Sequence, residues 1–492
     1  MIYLVSDNKT LISPDNYKTI DFLEAINLLK NIKLLQIDSE TSGLDCHTKE
    51  ILTLQLGNKE IQVVFDWKSL SKEEIILLKK FLEDSSRVLL GWNLAFDLTF
   101  LYVQNIYPKN IIDGMIIDKL IFLGYPPSLP IDLYDNQFGY LPVIEQTLIK
   151  HYELSYSLKA AAKRWINIDI DKTVRGKINS SGLTEEVIVY AANDVKWMED
   201  IYNKQMEEVN KQNLNNAVKV ECEFIKAVAY TKYCGIHLDE TKWKAKMASD
   251  NNKLKNSLDN LNKYVVDLYN KDPNNYKEFV IYEQPDLFGF IKPGYACHIN
   301  WSSQKQVIPL FEKLGIKVKT FDKKTKKEKK SIEEKQLAPQ SSEFDIIPLY
   351  LDYQGASKVV STYGDNWLKA INPKTGRIHL ELHSIGTDTA RMSSGGGIWK
   401  LNAQNLPHDP VTRACFTASK GNVWLSCDYV GQESCLTASV ASDDKMIEIL
   451  NTGGDLHSEV ARSCWPDVLG NLTDKEIKDL HKDMRQSAKG VE

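Results

Sequence analysis

The stretch LLQIDSETSGLD at residues 34–45 begins as an apolar run and passes directly into two acids, Asp38 and Glu40. Short apolar runs of the same kind recur at residues 51–56, 61–65 and 87–91. A segment with helical spacing and acids in its first turn occupies residues 71–82. Short apolar runs bounded by turn residues are typical of buried strands. Their alternation with helical segments over residues 1–206 predicts a mixed α/β (α+β) sandwich around one sheet.

Four acids of this region are predicted to gather at one place. Asp38 and Glu40 are two residues apart in a strand, so their side chains point to the same face. Asp97 begins a helix in the stretch GWNLAFDLTFL, and Asp194 lies on the apolar side of a helix predicted over residues 184–202. Taken singly, each acid is more often a helix cap or a surface residue. Burying a carboxylate is unfavourable unless it is paired or binds a metal ion.

Together the four acids predict a site for cations. Carboxylate oxygens suit Mg²⁺ or Mn²⁺ and not zinc. Two such ions about 4 Å apart would activate a water molecule and stabilise the leaving oxygen of a phosphodiester. Tyr190 stands one helical turn before Asp194 and is therefore expected on the same helix face.

Two further stretches complete a series, YSLKAAAKRWINIDIDKT at residues 156–173 and YAANDVKWMEDIY at residues 190–202. The four stretches occur in the order and spacing of the DnaQ-like 3′–5′ exonucleases, and the region resembles the proofreading domain of family A DNA polymerases. The resemblance implies a ribonuclease H-like fold. It also implies that Tyr190 orients the attacking water and that the metal-binding acids are Asp38, Glu40, Asp97 and Asp194.

The subtype of the resembled family can be read from a few positions. The histidine form of the family has His five residues before its last Asp, where this chain has Val189, so the chain resembles the tyrosine form. Ser157, Leu158 and Lys159 match the family's stretch before the last helix. Asp113 is expected to cap a helix and not to bind metal.

The charge balance limits how the chain can bind nucleic acid. Its 492 residues carry 61 Lys+Arg against 66 Asp+Glu, a net charge of −5, so a uniformly basic surface is excluded. Basic charge is local instead, because residues 207–345 are lysine-rich and predicted to be helical. Residues 313–330 alone hold nine lysines against two acids. That run is interpreted either as a solvated loop or as a contact to the DNA backbone.

The cysteines, the N-terminus and the length of the apolar stretches indicate the cellular compartment. Eight cysteines without a C-x-x-C pair predict free thiols in a reducing compartment and neither disulfides nor a zinc site. The N-terminus lacks the basic and apolar regions of a signal peptide, and no stretch reaches the roughly 20 apolar residues of a membrane helix. We therefore expect a cytoplasmic protein of a bacterial or phage-infected cell, without a membrane partner.

The C-terminal part is predicted to hold a second acidic site. Strands are predicted at residues 377–383 and 422–427, and the second strand ends in Asp428, ahead of a helix that begins near Gln432. An isolated acid at this place is more often a helix N-cap than a metal ligand. Here it is flanked by RIHLELHSIGTDTARMSS and LNAQNLPHDPVTRACF upstream and by GGDLHSEVA and DMRQSAKG downstream. This series resembles the polymerase domain of family A DNA polymerases.

The second resemblance implies roles for single residues. The counterpart of Asp428 binds both catalytic metal ions, and Glu433 matches the residue that closes the sugar pocket. The residues matching those that hold the incoming deoxynucleoside triphosphate are His457, Arg485 and Lys489. The residues matching those that face the DNA primer–template are Arg391, Gln404, Asn405 and Arg413. The sequence departs from the common pattern in a glycine run at residues 395–397 and in Cys435, where an arginine is common.

The predicted organisation is an exonuclease domain (1–206), a thumb-like helical region (207–345) and a partial palm with the start of the fingers (346–492). The expected function is DNA-templated DNA synthesis with 3′–5′ proofreading of single-stranded 3′ ends, with two Mg²⁺ or Mn²⁺ ions per active site. One alternative is a stand-alone 3′–5′ exonuclease with a polymerase-derived DNA-binding region, and another is a non-catalytic DNA-binding remnant.

A helix predicted after Leu472 runs through Arg485 and Lys489, and the resemblance stops within it, before a second palm acid. A continuation or a second polypeptide is therefore expected to supply the rest of the fingers and palm. The chain alone is not expected to polymerise.

Overall fold

The computed structural model describes residues 1–11, 15–124, 155–171, 174, 178, 182–284, 294–321 and 328–490 of the chain. The chain divides into two compact units, Met1–Thr417 and Ala418–Glu492. Across the described ranges, every helix is too short or too polar to span a bilayer. All eight cysteines are free thiols, as predicted.

The N-terminal part of the first unit forms a mixed sheet. Its strands are β1 (Ile2–Val5), β2 (Lys18–Thr19), β3 (Leu34–Thr41), β4 (Ile51–Gly57), β5 (Gln62–Asp66), β6 (Val88–Gly91) and β7 (Ile111–Asp113). Within the described residues they lie in the order β2-β1-β5-β4-β3-β6-β7. β4 is antiparallel to β3 and β5, and the other neighbouring pairs are parallel. This mixed α/β arrangement confirms the predicted fold class.

Helices pack against this sheet and begin where the sequence provides caps. They are α1 (Phe22–Leu29), α2 (Lys72–Leu82), α3 (Leu94–Val103), α4 (Gly114–Ile121), α5 (Leu158–Ile166), α6 (Glu185–Asp194) and α7 (Met198–Lys211). Ser71 and Glu74 form a capping box at the start of α2, which satisfies two backbone groups that a helix end leaves open. Leu35, Ile37 and Leu54 of the strands lie in the core beneath these helices.

The single helix predicted over residues 184–202 is wrong, because the structure has two helices there. α6 ends at Asp194, and a turn follows in which Lys196 N donates to Asn193 O (3.2 Å) before α7 begins. The apolar stripe behind the prediction is buried, but its two halves pack against different partners. α6 packs on β3, β4 and β5, whereas α7 packs mainly on α4 and α5 and also contacts β3 and β6. The break therefore accompanies a change of main packing partners, with β3 common to both helices.

The middle of the chain is helical, as its composition predicts. The helices are α8 (Asn215–Cys234), α9 (Glu240–Lys271), α10 (Pro273–Tyr276), α11 (Gln304–Lys313), α12 (Glu334–Leu337), α13 (Ile346–Thr362) and α14 (Asp365–Lys369). Two antiparallel hairpins lie among them, β8 (Val280–Glu283) with β9 (Gly294–Cys297) and β10 (Lys319–Phe321) with β11 (Glu328–Lys330). The long helix α9 packs along α13 and closes a core of its own with Trp301 and Tyr350.

The strand predicted at residues 377–383 forms only at its end. Leu382–His383 (β12) pairs with Ser393–Ser394 (β13), while Ile378 makes isolated bridges to Ile236 and Ile371. The helix α15 (Pro410–Arg413) lies near the end of the first unit. Strand pairing depends on a partner at the right register, which an apolar run does not itself supply.

The strand predicted at residues 422–427 is wrong for the same reason. Among the described residues this segment pairs with no other strand, forms no regular secondary structure and is exposed to solvent. Val423 is 87% exposed and Leu425 83% exposed. The apolar run therefore has the composition of a buried strand without the neighbour that would bury it.

The second unit is otherwise a set of short helices. They are α16 (Gln432–Ala441), α17 (Asp444–Asn451), α18 (Leu456–Cys464), α19 (Pro466–Leu469), α20 (Asp474–Leu480) and α21 (Lys482–Ala488). The helix predicted from Gln432 is confirmed. The single helix predicted after Leu472 is wrong, because His481 leaves the helical conformation (ψ 44°) and separates α20 from α21. This break lets α21 pack back on α18.

Candidate active sites

Strand β3 and helix α6 bring three carboxylates together. One carboxylate oxygen from each of Asp38, Glu40 and Asp194 lies within 4.8 Å of the other two. Asp38 and Glu40 point to one face of β3, whose register places them opposite Gln55 and Thr53 of β4. Glu40 and Asp194 are buried, at 9% and 3% exposure. Three carboxylates this close repel one another, and their oxygens are the donors that hard divalent cations prefer, so the residues fit a metal site.

Asp97, the fourth predicted acid, lies beside this group and not within it. It sits in the first turn of α3 and accepts a hydrogen bond from Ser39 Oγ (2.5 Å), the residue between Asp38 and Glu40. Burial raises the pKa of Asp97 to about 7, and the Asp113 and Glu40 carboxylates add to the rise, while the Ser39 bond opposes it. The sequence pattern identified Asp97 but gave no sign of the part taken by Ser39.

Tyr190 lies one turn before Asp194 on α6, as predicted, and both side chains are buried. The stretch before this helix is organised by Ser157, whose hydroxyl accepts from Ala160 N (3.3 Å) and caps α5. Leu158 is buried, and the Lys159 ammonium is paired with Asp169 (3.2 Å). The matching residues of this stretch therefore form the start of a helix packed beside the site.

Asp113 is a helix cap, as predicted, but it serves two helices. Its carboxylate accepts from Met115 N (2.9 Å) at the start of α4 and from Leu94 N (2.7 Å) and Asn93 N (3.1 Å) at the start of α3. Asn93 has a left-handed backbone (φ 63°), which turns the chain into α3. Because α3 carries Asp97, Asp113 fixes the helix start from which that side chain reaches Ser39. The second set of bonds has no signal in the sequence.

A buried ion pair ties α5 to α4 and also escaped the sequence reasoning. Asp118, fully buried, accepts from the Arg164 guanidinium and from Trp165 Nε1 (2.7 Å). Gln205 Nε2 of α7 donates to the same carboxylate (3.2 Å). The available signal was an acid inside the apolar stretch at residues 111–123. This network joins α4, α5 and α7 to one another.

The residues predicted to face primer–template lie on the surface of the first unit. Gln404 holds the segment that follows Arg391, because its Oε1 accepts from Ser394 N (3.0 Å) and its Nε2 donates to Met392 O (2.9 Å). Arg391, Gln404, Asn405 and Arg413 are all exposed. Their exposure leaves these side chains accessible to a large ligand, while Gln404 shapes the loop between two of them.

The residues predicted to hold a triphosphate lie on α18 and α21 of the second unit. Arg485 makes a two-pronged ion pair with Asp455, with Nε–Oδ2 at 2.7 Å and Nη2–Oδ1 at 2.8 Å. Burial by itself would raise the pKa of Asp455. The hydrogen bonds from Arg485 and the Ser458 hydroxyl outweigh burial and hold that pKa well below its usual range. His457 lies on α18, two residues from Asp455, and Lys489 follows α21 and is exposed.

Asp428 and Glu433 are also in the second unit but are less enclosed. Asp428 lies in the exposed, unpaired segment at residues 422–430, and Glu433 is an exposed residue in the first turn of α16. Cys435 is exposed on the same helix. The prediction that a strand presents Asp428 is therefore wrong as far as the described residues go, although the helix that follows is in its predicted place.

The lysine run at residues 313–330 is partly described, since residues 322–327 lie outside the described residues. Three of its lysines make ion pairs: Lys313 with Glu278 (2.6 Å), Lys319 with Glu328 (3.3 Å) and Lys330 with Glu312 (2.6 Å). Each pair is at least partly exposed, so it is weak and leaves the ammonium accessible. Both interpretations of the run, solvated loop and DNA backbone contact, remain predictions.

Comparison with known proteins covers both halves of the chain. Residues 17–210 match the family described as 3′-5′ exonuclease, and residues 292–492 match the family described as DNA polymerase family A. DNA polymerase I of Borreliella burgdorferi is 23% identical over 96% of this chain and 46% of its own length. DNA polymerase I of Aquifex aeolicus is 26% identical over 95% of this chain and 69% of its own length.

A solved structure shares the fold. The polymerase domain of Pol1 from M. smegmatis, in complex with DNA primer-template and dNTP, aligns over 100% of this chain and 70% of its own with a TM-score of 0.68. Its sequence is 14% identical, so this likeness concerns the fold alone. The chain thus spans about half of the first relative and about two thirds of the second.

Proposed function

Because the chain belongs to the family A DNA polymerases and carries their 3′–5′ exonuclease domain, we propose that it removes nucleotides from DNA 3′ ends and takes part in DNA-templated DNA synthesis. The carrying observation is the group formed by Asp38, Glu40 and Asp194, which lies at the end of a strand in a ribonuclease H-like sheet. Three carboxylates that converge at the end of an interior strand suit phosphodiester hydrolysis better than a structural role, because packing alone gives no reason to hold groups that repel one another so close together.

We assign the exonuclease site two Mg²⁺ or Mn²⁺ ions, with Asp38, Glu40 and Asp194 as ligands and Asp97 completing the set. When bound, such ions lower the pKa of water and stabilise the leaving oxygen of a phosphodiester. The chain's own side chains hold the geometry, since β3 fixes two acids on one face and α6 fixes the third. Tyr190, buried on the face of Asp194, would orient the attacking water through its hydroxyl group.

The polymerase half would bind primer–template and deoxynucleoside triphosphates. Exposed Arg391, Gln404, Asn405 and Arg413 are suited to the DNA, because phosphate contacts position a duplex without reading its sequence. The triphosphate would be held by His457, Arg485 and Lys489. Glu433 would contact the sugar, and Asp428 would bind the metal ions. Arg485 presents a planar fork that already binds a carboxylate in two prongs, a geometry that a phosphate also accepts.

The match of residues 292–492 to the polymerase family favours this function over a stand-alone exonuclease. We further propose that the second unit works together with a polypeptide that supplies the rest of the palm and fingers, either in continuation or as a separate chain. Its support is the exposed, unpaired segment at residues 422–430, where Val423 and Val430 are 87% and 97% exposed. The cytoplasm, where DNA and triphosphates are present, is the proposed compartment.

The exonuclease is tested with a 5′-labelled single-stranded oligonucleotide and Mg²⁺ or Mn²⁺. The chain should produce a ladder of products shortened from the 3′ end. Asp38→Ala should lower this rate by several orders of magnitude, because the loss of a metal ligand removes transition-state stabilisation. Asp169→Ala, which removes an exposed acid paired with Lys159, is the matched control and should digest at the parent rate. Undiminished digestion by an Asp38→Ala/Glu40→Ala double variant would refute the assignment.

A further inference from the structure

A cavity of about 480 Å³ lies in the first unit, and its lining includes Thr99 of α3, two residues after Asp97. One wall is the segment that follows β3, including Leu44 and Lys49, and another is a loop that includes Gly396, Ile398 and Trp399. Leu44 comes four residues after Glu40, and four residues span at most about 14 Å. The cavity therefore lies within a few nucleotide lengths of the group that would cut DNA.

The shape of the loop is set by its three glycines. Gly395, Gly396 and Gly397 have φ angles of 149°, 90° and 63°, a region that other residues rarely adopt. No atom lies close to the position of an added Cβ at any of them, the nearest being Glu381 Cβ at 3.8 Å from Gly397. The glycines are thus needed for the backbone path and not for close packing. That path carries the two following side chains to the cavity.

Those side chains are large, apolar and exposed. Ile398 is 78% exposed and Trp399 40% exposed, and Leu44 across the cavity is 73% exposed. An exposed aromatic ring can stack on any nucleobase, and such stacking contributes about 1–3 kcal/mol per base in proteins that bind single strands. Apolar side chains from two walls of one cavity are suited to unpaired bases.

The charges of the walls favour a polyanion. The acids there are already bonded within the protein: Asp45 accepts from Thr48 Oγ1 (2.7 Å) and Asn372 Nδ2 (2.8 Å), and Glu381 is paired with Lys232 (2.6 Å). Lys49 lines the cavity with an exposed side chain, and the exposed Lys400 follows Trp399. The remaining accessible charge is therefore basic, as a strand of phosphates requires.

We propose that this cavity is a subsite for the single strand whose 3′ end enters the exonuclease site, with Trp399 stacked on a base and Lys49 and Lys400 at phosphates. The inference rests on the proposed exonuclease function and deepens it. The occupant is single-stranded DNA, because the cavity combines stacking surface with basic charge, and its Leu44 wall lies within about 14 Å of Glu40 by the reach of four residues. Trp399 would position substrate and would take no part in the chemistry.

The first test measures binding of fluorescently labelled oligo(dT) to the full chain in EDTA by anisotropy. Trp399→Ala should weaken binding about tenfold, since about 1.4 kcal/mol of stacking corresponds to that factor. Trp399→Phe should retain most of the affinity. Tyr107→Ala, an aromatic residue of similar exposure (38% against 40%), is the control and should bind like the parent. Unchanged affinity in Trp399→Ala overturns the inference.

The second test separates this inference from the proposed function. The p-nitrophenyl ester of thymidine 5′-phosphate is too short to reach the cavity and needs only the carboxylate group. Trp399→Ala should hydrolyse it at the parent rate with Mn²⁺ while digesting the oligonucleotide with a raised KM. Equal losses on both substrates would mean that Trp399 supports the fold, and would refute the subsite. Hydrolysis of the ester by Asp38→Ala at the parent rate would instead refute the exonuclease assignment.

Discussion

At Asp118 a single carboxylate binds three donors inside the protein: the Arg164 guanidinium, Trp165 Nε1 and Gln205 Nε2. These donors come from α5 and α7, which pack on each other, and α7 also packs on α4, the helix that carries Asp118. A buried charge with partners is stable only as long as all of them remain. The packing of these helices therefore depends on an acid, Asp118, that is not one of the proposed metal ligands.

Asp118→Asn is expected to lower the free energy of unfolding of the first unit by about 3 kcal/mol, because it leaves the Arg164 charge buried without a counter-charge. Thermal or urea unfolding measures the change. Asp169→Asn removes an exposed partner of Lys159 and should change the same quantity by less than about 1 kcal/mol. Equal losses of unfolding free energy in the two variants would contradict the claim that the buried ion pair of Asp118 matters more than the exposed ion pair of Asp169.

Among single residues, the sequence predicted which acids would cluster better than it predicted their surroundings. Asp38 and Glu40 could be placed on one face because a strand alternates strictly. Ser39 could not be recognised as a partner of Asp97, because that contact joins residues 58 positions apart through the fold. Asp113 was predicted as a cap from its local sequence, but its bonds to Asn93 and Leu94 depend on how two helices meet.

At the scale of elements, helix starts were more predictable than helix ends and strand partners. Start signals such as Ser71 with Glu74 lie within four residues, so a local reading finds them. The break after Asp194 accompanies a change of main packing partners, from the sheet strands under α6 to α4 and α5 beside α7, and the break at His481 accompanies the packing of α21 on α18. Both are tertiary effects that override a continuous helical pattern.

Asp113 gives an element-scale prediction, since it joins the starts of α3 and α4. Asp113→Ala should lower the free energy of unfolding by at least about 2 kcal/mol, because buried N–H groups of both helices lose their acceptor. It should also slow the exonuclease, because α3 would no longer fix Asp97. Asp21→Ala removes the cap of α1 alone, through Glu24 N (2.8 Å), and should cost about 1 kcal/mol without loss of nuclease rate. Nuclease rates that match in the two variants would contradict this.

At the scale of the whole molecule, two compact units divide the proposed chemistry. The carboxylate group and the exposed Arg391 belong to Met1–Thr417, whereas Asp428 and the triphosphate residues belong to Ala418–Glu492. The order of these activities along the chain was predictable, because sequence motifs are local. The exposure of residues 422–427 was not predictable, because an apolar run predicts burial without identifying the strand that would bury it.

The exposed segment at residues 422–430 leads to the last prediction. An unpaired segment with exposed apolar side chains offers a place for strand pairing, and folded proteins rarely leave such a surface open. We expect it to pair with a polypeptide that carries the remaining palm and fingers, which would enclose Asp428. Val423→Ser/Leu425→Ser should leave the unfolding of the isolated chain within about 0.5 kcal/mol of the parent, since both side chains are exposed.

The same double variant should lower primer extension when the chain is mixed with a separately expressed polypeptide carrying the rest of a family A palm and fingers. Extension of a labelled primer on a template measures this, and Leu23→Ser, at an exposed position of α1, is the control that should support extension like the parent. The reason is that serine removes the apolar surface that would be buried on pairing, while the first unit is untouched. Parent-level extension by the double variant, or extension by the isolated chain that is lost on Asp428→Ala, would mean that the polymerase site is complete without this pairing.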